Sequence, residues 1–264
     1  MNVWDNVMKE LPKSYFSRIT RAVVEFDLID DGDKILIGIS GGKDSLFLAY
    51  ALCSLRERFK KNFSLTALTV DPKFNDNFNV ESIKNFCAEL KIEHFVEEVD
   101  IADAIKNSNK KPCFTCAFFR RAAINRYAKS IGANKVAYAH HLDDAVETFL
   151  MSILSSGQLN TFLPKTFLSR SEITVIRPLV YLREFEIAKF VRQNNFDVVK
   201  SPCPFDGKTN RQFIKNLIRD LENNFPDLFS HLASSIRKSA LFDLWDAPKS
   251  RNEMKKIYYS FLGR

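Results

Sequence analysis

The apolar run Lys34 to Ile39 stops at Ser40-Gly41-Gly42-Lys43-Asp44-Ser45, and an amphipathic run from Leu46 to Phe59 starts at once. Strand, two-glycine loop and helix in that order tie the chain to an open α/β sheet with an anion-binding loop at its first crossover. Adjacent glycines let main-chain N–H groups turn inward, the helix N-terminus adds partial positive charge, and the lysine adds a full one. The loop therefore reads as a phosphate cradle formed by Ser40, Gly41, Gly42, Lys43, Asp44 and Ser45. A Walker A loop needs longer glycine spacing and a hydroxyl residue after the lysine, whereas Asp44 stands there. An acid at that position points to a magnesium ion or to pyrophosphate chemistry. A plain strand-to-helix turn capped by Ser40 is the alternative.

The alternation continues along the chain. Helical periodicity covers 15–28, and strands are expected at 64–70, 94–99, 135–139 and 173–176, with helices at 80–90, 117–131, 144–154 and 183–194. Polar residues and a proline interrupt the pattern at 107–112, and 155–171 reads as a connection containing Gly157 and Pro164. Beyond Lys200 no strand is expected, only helical runs at 208–223 and 228–241 divided by Pro226. The fold class is therefore α/β: a doubly wound parallel sheet with an N-terminal helix and a C-terminal helical extension. The expected division is a nucleotide-binding domain at 1–200 and a basic helical extension at 201–264.

A hydrophobic content of 45% over 264 residues is enough for an ordinary packed core. No uncharged apolar run of about 18 residues occurs, and residues 1–10 are charged where a signal peptide is apolar. These features imply a cytoplasmic protein with no membrane partner. The net charge is +7, and residues 200–264 hold 12 Lys and Arg against 7 Asp and Glu. A basic C-terminal quarter suits an acidic polymer such as RNA, or is a solvated surface.

Five cysteines in a reducing compartment do not form a disulfide framework. Cys53 and Cys87 fall at helical spacing with apolar neighbours and read as core. Cys113-Phe114-Thr115-Cys116 is placed at a helix start, where the dipole favours the metal-binding thiolate. Such a pair serves redox chemistry, half a zinc site or part of an iron–sulfur site. Pro202 and Pro204 hold the backbone around Cys203, which makes a third defined thiol. Three thiolates are one short of a closed zinc site and suit a cubane cluster with one open iron.

Ser40 to Ser45, Cys113 and Cys116 leading to Arg120-Arg121, and Ala139-His140-His141-Leu142-Asp143-Asp144-Ala145-Val146-Glu147-Thr148 occur in that order. With Val175-Ile176-Arg177-Pro178-Leu179 and Ser201-Pro202-Cys203-Pro204, the chain resembles the tRNA-cytidine 2-sulfurtransferase (TtcA-type) family of the PP-loop ATP pyrophosphatases over roughly residues 15–245. The resemblance implies a [4Fe-4S] cluster on Cys113, Cys116 and Cys203, ATP in the loop, Mg²⁺ at Asp44, and adenine against the backbone of Val70. It also implies tRNA as substrate, sulfide or a donor such as a cysteine desulfurase as the sulfur source, and a homodimer. Many family members carry a second cysteine three positions after the third ligand, and here Asp206 stands there.

Lys43, Asp44, Asp144 and His141 are the expected catalytic set, with Asp144 preferred over Asp143 because the motif falls at the carboxyl edge of a parallel strand. The structural alternative is a helix start with Asp144 and Glu147 as a capping-box variant. Arg120, Arg121, Arg177, Lys208, Arg211 and Lys215 are candidate RNA phosphate contacts. Rival functions are a PP-loop amine ligase of the lysidine synthetase kind, thiolation of another base or small molecule, and a non-catalytic iron–sulfur or zinc RNA-binding protein.

Overall fold

Strands β1 (Lys34–Gly38), β2 (Ser64–Asp71), β3 (Glu93–Glu98), β4 (Lys135–Ala137), β5 (Lys165–Leu168) and β6 (Ile173–Ile176) form one sheet of order β3-β2-β1-β4-β6-β5. All neighbouring pairs are parallel except β5 with β6. The computed structural model describes residues 10–74, 78–200, 202–204, 207, 209–237 and 250–261. The helices are α1 (Lys13–Glu25), α2 (Lys43–Arg58), α3 (Val80–Glu89), α4 (Ile101–Lys106), α5 (Pro112–Ser130), α6 (Leu142–Ser156), α7 (Glu184–Gln193), α8 (Asn210–Glu222), α9 (Leu228–Ser235) and α10 (Arg251–Phe261).

Both faces of the sheet are covered, as a parallel sheet requires. Ile35 and Ile37 of β1 join a core with residues of α1, α2, α3 and α7, while Leu36 turns to the other face and packs with Val136 and with Ala123, Ile124 and Ala128 of α5. This is why β1 reads as a continuous apolar run and not as an alternating one. The run expected to be amphipathic at 46–59 is instead buried on all sides from Ser45 to Leu55. Sheet, α1 and α7 enclose it, so the period of its polar residues carried little information. Cys53 and Cys87 lie in this core, and burial pushes both thiols up to about 12.

Four elements depart from the expected pattern. α5 begins at Pro112, earlier than expected, because proline suits the first helical turn, where no N–H is needed. β5 lies inside the expected connection and returns as an antiparallel hairpin with β6; it is only 4 residues long and too short to show a period. α4 and α10 were also not expected, and the helical run at 228–241 is described only to Ser235 as helix. Beyond β6, α8 and α9 pack on α6 through Val146, Ile214, Ile218 and Phe229. No described helix is long and apolar enough to cross a membrane.

At the amino edge of the sheet, Lys135 Nζ lies 2.6 Å from Asp33 and 3.0 Å from Asp30, and donates to the Leu28 carbonyl at 3.0 Å. Lys135 and Asp33 are both buried, so the pair fixes the end of the N-terminal helical segment against β1 and β4. Removing one partner leaves an uncompensated buried charge. Lys135→Ala is therefore expected to lower unfolding free energy by about 3–5 kcal/mol, read as a drop in denaturation midpoint at unchanged m-value.

Candidate functional site

The phosphate-type loop is built as its sequence implies. Gly41 holds a positive φ of 76°, and a Cβ there would meet Val199 Cβ at 2.8 Å and Ile83 Cδ1 at 2.9 Å. Both conformation and space therefore demand glycine. The Val199 N–H donates to the Gly41 carbonyl at 3.0 Å, which anchors the loop from the far end of the chain. The Ser40 N–H donates to Ser45 Oγ at 3.1 Å, and Ser45 Oγ donates to the Gly42 carbonyl at 2.9 Å. Ser40 is thus a brace of the loop. The helix cap position is Gly42, with no side-chain cap.

Three helix N-termini converge on this edge. α2 begins at Lys43, α6 at Leu142 and α7 at Glu184, and contacts between their first turns join them. Lys43 Nζ lies 3.0 Å from Asp44 and 3.0 Å from Glu184. Glu184 also pairs with Lys215 of α8. Burial acts to raise the Glu184 carboxyl, but Lys215 and Lys43 outweigh it and hold it down at about 2. Burial likewise opposes the Lys43 charge, yet Asp44 and Glu184 leave its ammonium raised above the usual lysine value.

His141 is the buried hub of the acidic cluster. Its N–H donates to Asp144 Oδ2 at 3.0 Å, and the Asp144 N–H donates to His141 Nδ1 at 3.3 Å. The capping box is therefore His141 with Asp144, which corrects the expected pairing of Asp144 with Glu147. With Nδ1 accepting, Nε2 carries the ring proton of the neutral imidazole. Nε2 lies 3.4 Å from Asp144 Oδ2 and 3.8 Å from Asp44 Oδ1. Asp44 Oδ1 is buried and has no hydrogen-bond partner among the described residues, an oxygen that a hard cation would satisfy.

Asp143 and Asp144 have different partners. Asp143 accepts from Arg183 Nε at 3.0 Å and from the Glu184 N–H at 2.7 Å, so it secures the start of α7. Asp144 faces the cleft, where Arg211 Nη1 donates to its Oδ1 at 2.5 Å. Glu147, read from the sequence only as a capping partner, lies one turn further on, and burial followed by the Asp144 charge lifts its carboxyl to about 7. Arg211 also donates to Thr148 Oγ1 at 3.1 Å. Arg211 and Lys215, expected on RNA phosphates, are thus engaged with site carboxylates. The parts that Glu184, Glu147 and Arg183 play in the site were missed because they depend on partners distant in sequence.

Val70 lies beyond the last β1–β2 pair, Gly38 with Leu68. The Ile39 N–H donates to the Leu68 carbonyl, and Val70 shares the orientation of Leu68 by strand alternation. Its main-chain groups therefore face the side from which β1 has departed. His94 pairs with Thr69 Oγ1 at 2.8 Å, a structural role.

Cys113 is exposed, while Cys116 and Cys203 are half-buried, and none of the three is in a disulfide. Cys203 and Cys113 both bear on the Cys116 thiol, and the Arg120 charge acts to lower it. Burial nevertheless pushes the Cys116 thiol up, against the lowering expected at a helix start. Among the described residues no three His, Cys, Asp or Glu side chains are arranged to hold a metal ion. The cysteines form a neighbourhood of thiols and not a preformed cage. Asp206 and Lys208 lie outside the described residues.

A PP-loop domain family matches residues 13–221. The tRNA-cytidine(32) 2-sulfurtransferase of Geobacter sulfurreducens is 37% identical over 219 residues, covering 81% of this chain and 85% of that protein. The protein of the same name from Ralstonia pickettii is 34% identical over 227 residues, covering 84% and 71%. In structure, the U34-tRNA thiolase NcsA from Methanococcus maripaludis with its [4Fe-4S] cluster superposes with a TM-score of 0.70 at 22% identity, over 89% of this chain and 80% of that one.

Gly41→Ala is expected to cost about 1–3 kcal/mol of stability and to weaken ATP binding at least tenfold, measured by thermal denaturation and calorimetric titration. The Glu147 carboxyl is held at about 7 against an ordinary 4.5. The folded chain therefore keeps a proton that the unfolded chain gives up between these values. Its contribution to stability is complete below pH 4.5 and is lost as the pH rises through 7. In Glu147→Gln this decline across that window is expected to flatten in melting curves of the ligand-free protein.

Proposed function

The chain belongs to the tRNA-cytidine 2-sulfurtransferase family of PP-loop enzymes, and on that premise we propose how its own residues carry out ATP-dependent tRNA thiolation. The reaction replaces the 2-oxygen of a cytidine by sulfur. Oxide is a poor leaving group, so the oxygen is first adenylated. The cytosine O2 attacks the α-phosphate of ATP, the bond to the β-phosphate breaks, and pyrophosphate departs. A sulfur nucleophile then forms the C–S bond at C2, its remaining proton is lost, and AMP leaves with the former base oxygen.

The observation that carries this reading is the convergence of the loop, the acid cluster and the cysteine helix at one carboxyl edge of the sheet. In it, the main-chain N–H groups of Ser40 to Ser45 receive the β- and γ-phosphates, and the three helix N-termini favour the triphosphate charge. Lys43 turns from Glu184 to the phosphates as the nucleotide binds, opposing charge that develops on pyrophosphate. Val70 offers its backbone to the adenine. His141 acts as a positioning residue, because its ring is held between Asp144 and Asp44 and its Nδ1 is already committed.

Asp44 and Asp144 would hold Mg²⁺, and the buried unpartnered Asp44 Oδ1 fits that use; the bound ion supplies charge neutralisation of the triphosphate. Cys113, Cys116 and Cys203 would hold an iron–sulfur cluster, and three neighbouring cysteines outside any disulfide are donors that suit it. When bound, such a cluster supplies a place from which sulfur reaches the activated carbon. Residues 201–264 would act as an arm that brings the third thiol to the nucleotide domain. Sulfide or a cysteine desulfurase is the proposed sulfur source, and a homodimer the proposed assembly.

Anaerobically purified protein, incubated with unmodified tRNA, ATP, Mg²⁺ and sulfide, is expected to yield 2-thiocytidine and stoichiometric AMP on nucleoside analysis. ATP cleavage without any thiolated nucleoside would overturn the assignment. Cys203→Ser is expected to lower thiolation by at least 100-fold, on the order of 3 kcal/mol of barrier, while ATP affinity stays within twofold. Unchanged thiolation would remove Cys203 from the chemistry.

A further inference from the structure

Beside the nucleotide loop, three buried polar atoms have no hydrogen-bond partner among the described residues: Tyr138 Oη, His140 Nδ1 and Arg177 Nε. They belong to one place. β4 and β6 run parallel with Ala137 opposite Ile176, so Tyr138 and Arg177 follow side by side at the carboxyl edge, and the Tyr138 N–H donates to the Ile176 carbonyl at 3.0 Å. The rings of Tyr138 and His140 are 5.9 Å apart, those of His140 and Phe162 are 5.0 Å apart, and the Arg177 guanidinium lies 5.1 Å from the Phe162 ring centre. On one side α5, the cysteine helix, brings Arg121, whose charge bears on both Tyr138 and Arg177. On the other side Asp144 and Arg211 bear on His140. The unpartnered atoms therefore lie between α5 and the acid cluster.

The chemistry of the three atoms narrows what they receive. Arg177 Nη1 already donates to the Leu163 carbonyl at 2.6 Å and to Thr166 Oγ1 at 3.3 Å, so the edge of the guanidinium that is left for a ligand is the one formed by Nε and Nη2. That edge offers parallel N–H donors, which suit two neighbouring acceptors on one flat group. His140 Nδ1 is buried without a partner among the described residues, and burial lowers the imidazole to about 4, so the ring meets a ligand as a neutral group with one lone pair and one N–H to offer. Tyr138 Oη both donates and accepts. A flat heterocycle with acceptors and a donor along one edge, and faces that stack on rings, matches this set. Cytosine has acceptors at O2 and N3 and a donor at N4; uracil has a donor at N3 and an acceptor at position 4.

We propose that Tyr138, His140 and Arg177, with Phe162 as a stacking wall, receive the flipped-out cytosine ring and select it over uracil. This inference rests on the thiolation reading above and assigns the base-binding half of that site. A base held here would stand with the cysteine helix on one side and the ATP loop on the other, as substitution at C2 requires. Uracil in the same place would leave the Arg177 and His140 groups mismatched, which is how a buried polar site rejects an analogue.

The test compares wild type, His140→Ala and Tyr138→Phe on two stem-loop RNAs that differ only in cytidine or uridine at the target position. RNA-dependent AMP formation and thiolation are measured, with ATP affinity as the control for folding. Tyr138→Phe removes a single oxygen and keeps the ring. The expected result is a roughly ten- to hundredfold fall in kcat/KM on the cytidine RNA in both variants. His140→Ala is also expected to lose most of the preference for cytidine over uridine, with ATP affinity retained. Wild-type preference and rate in both variants would overturn the pocket while leaving thiolation intact. A wild-type protein that cleaves ATP yet thiolates neither RNA would fail the thiolation reading, and the pocket with it.

Discussion

The chain leaves β1 toward β2 and β3, then crosses the other face through α5 to reach β4 on the opposite side of β1. Neighbouring crossovers therefore part company at the carboxyl end of β1, and the gap between them is the place where a doubly wound sheet can receive a ligand. Everything chemical in the molecule depends on that reversal. It directs the starts of α2 and α6 toward one another, and it leaves the backbone of Val70 beyond the end of β1. Without the gap, the glycine loop would be a turn like any other.

Charge in the gap is balanced pair by pair. Lys43 is shared between Asp44 and Glu184, Glu184 between Lys43 and Lys215, and Asp144 is held by Arg211. Two of these cations come from α8, which follows Cys203 in the chain. The C-terminal helices are thus tied to the nucleotide loop both by the apolar contacts of Ile214 and Ile218 against Val146 and by ion pairs inside the site. Through Glu184, Lys43 of the loop and Lys215 of α8 share one carboxylate.

Much of the fold was legible because parallel strands buried on both faces leave continuous apolar runs, and the alternation of such runs with helices admits few topologies. Ser40 to Ser45 was legible because a loop's conformation is set by neighbours in the chain, above all by Gly41. β5 was hidden because four residues cannot establish a period, and α5 was started late because Pro112 reads as a break when its helical use is at N1. Asp143 and Asp144 were visible as acids, but their different duties follow from Arg183 and Arg211, which no local pattern connects to them. The Cys116 thiol, expected to be lowered, is instead raised by burial, a tertiary property that no local pattern reports.

By itself the sequence determined the chemistry available: a glycine loop that binds phosphate, acids beside it, and three thiols set apart from the two in the core. These follow from residue type and spacing along the chain. Only the tertiary structure decided which lysine faces which carboxylate, which aspartate is spent on α7, and that Tyr138, His140 and Arg177 bury three polar atoms with no hydrogen-bond partner among the described residues. The reason is range: backbone propensity acts over a few residues, whereas electrostatic pairing and desolvation depend on groups that meet only when the sheet closes its order.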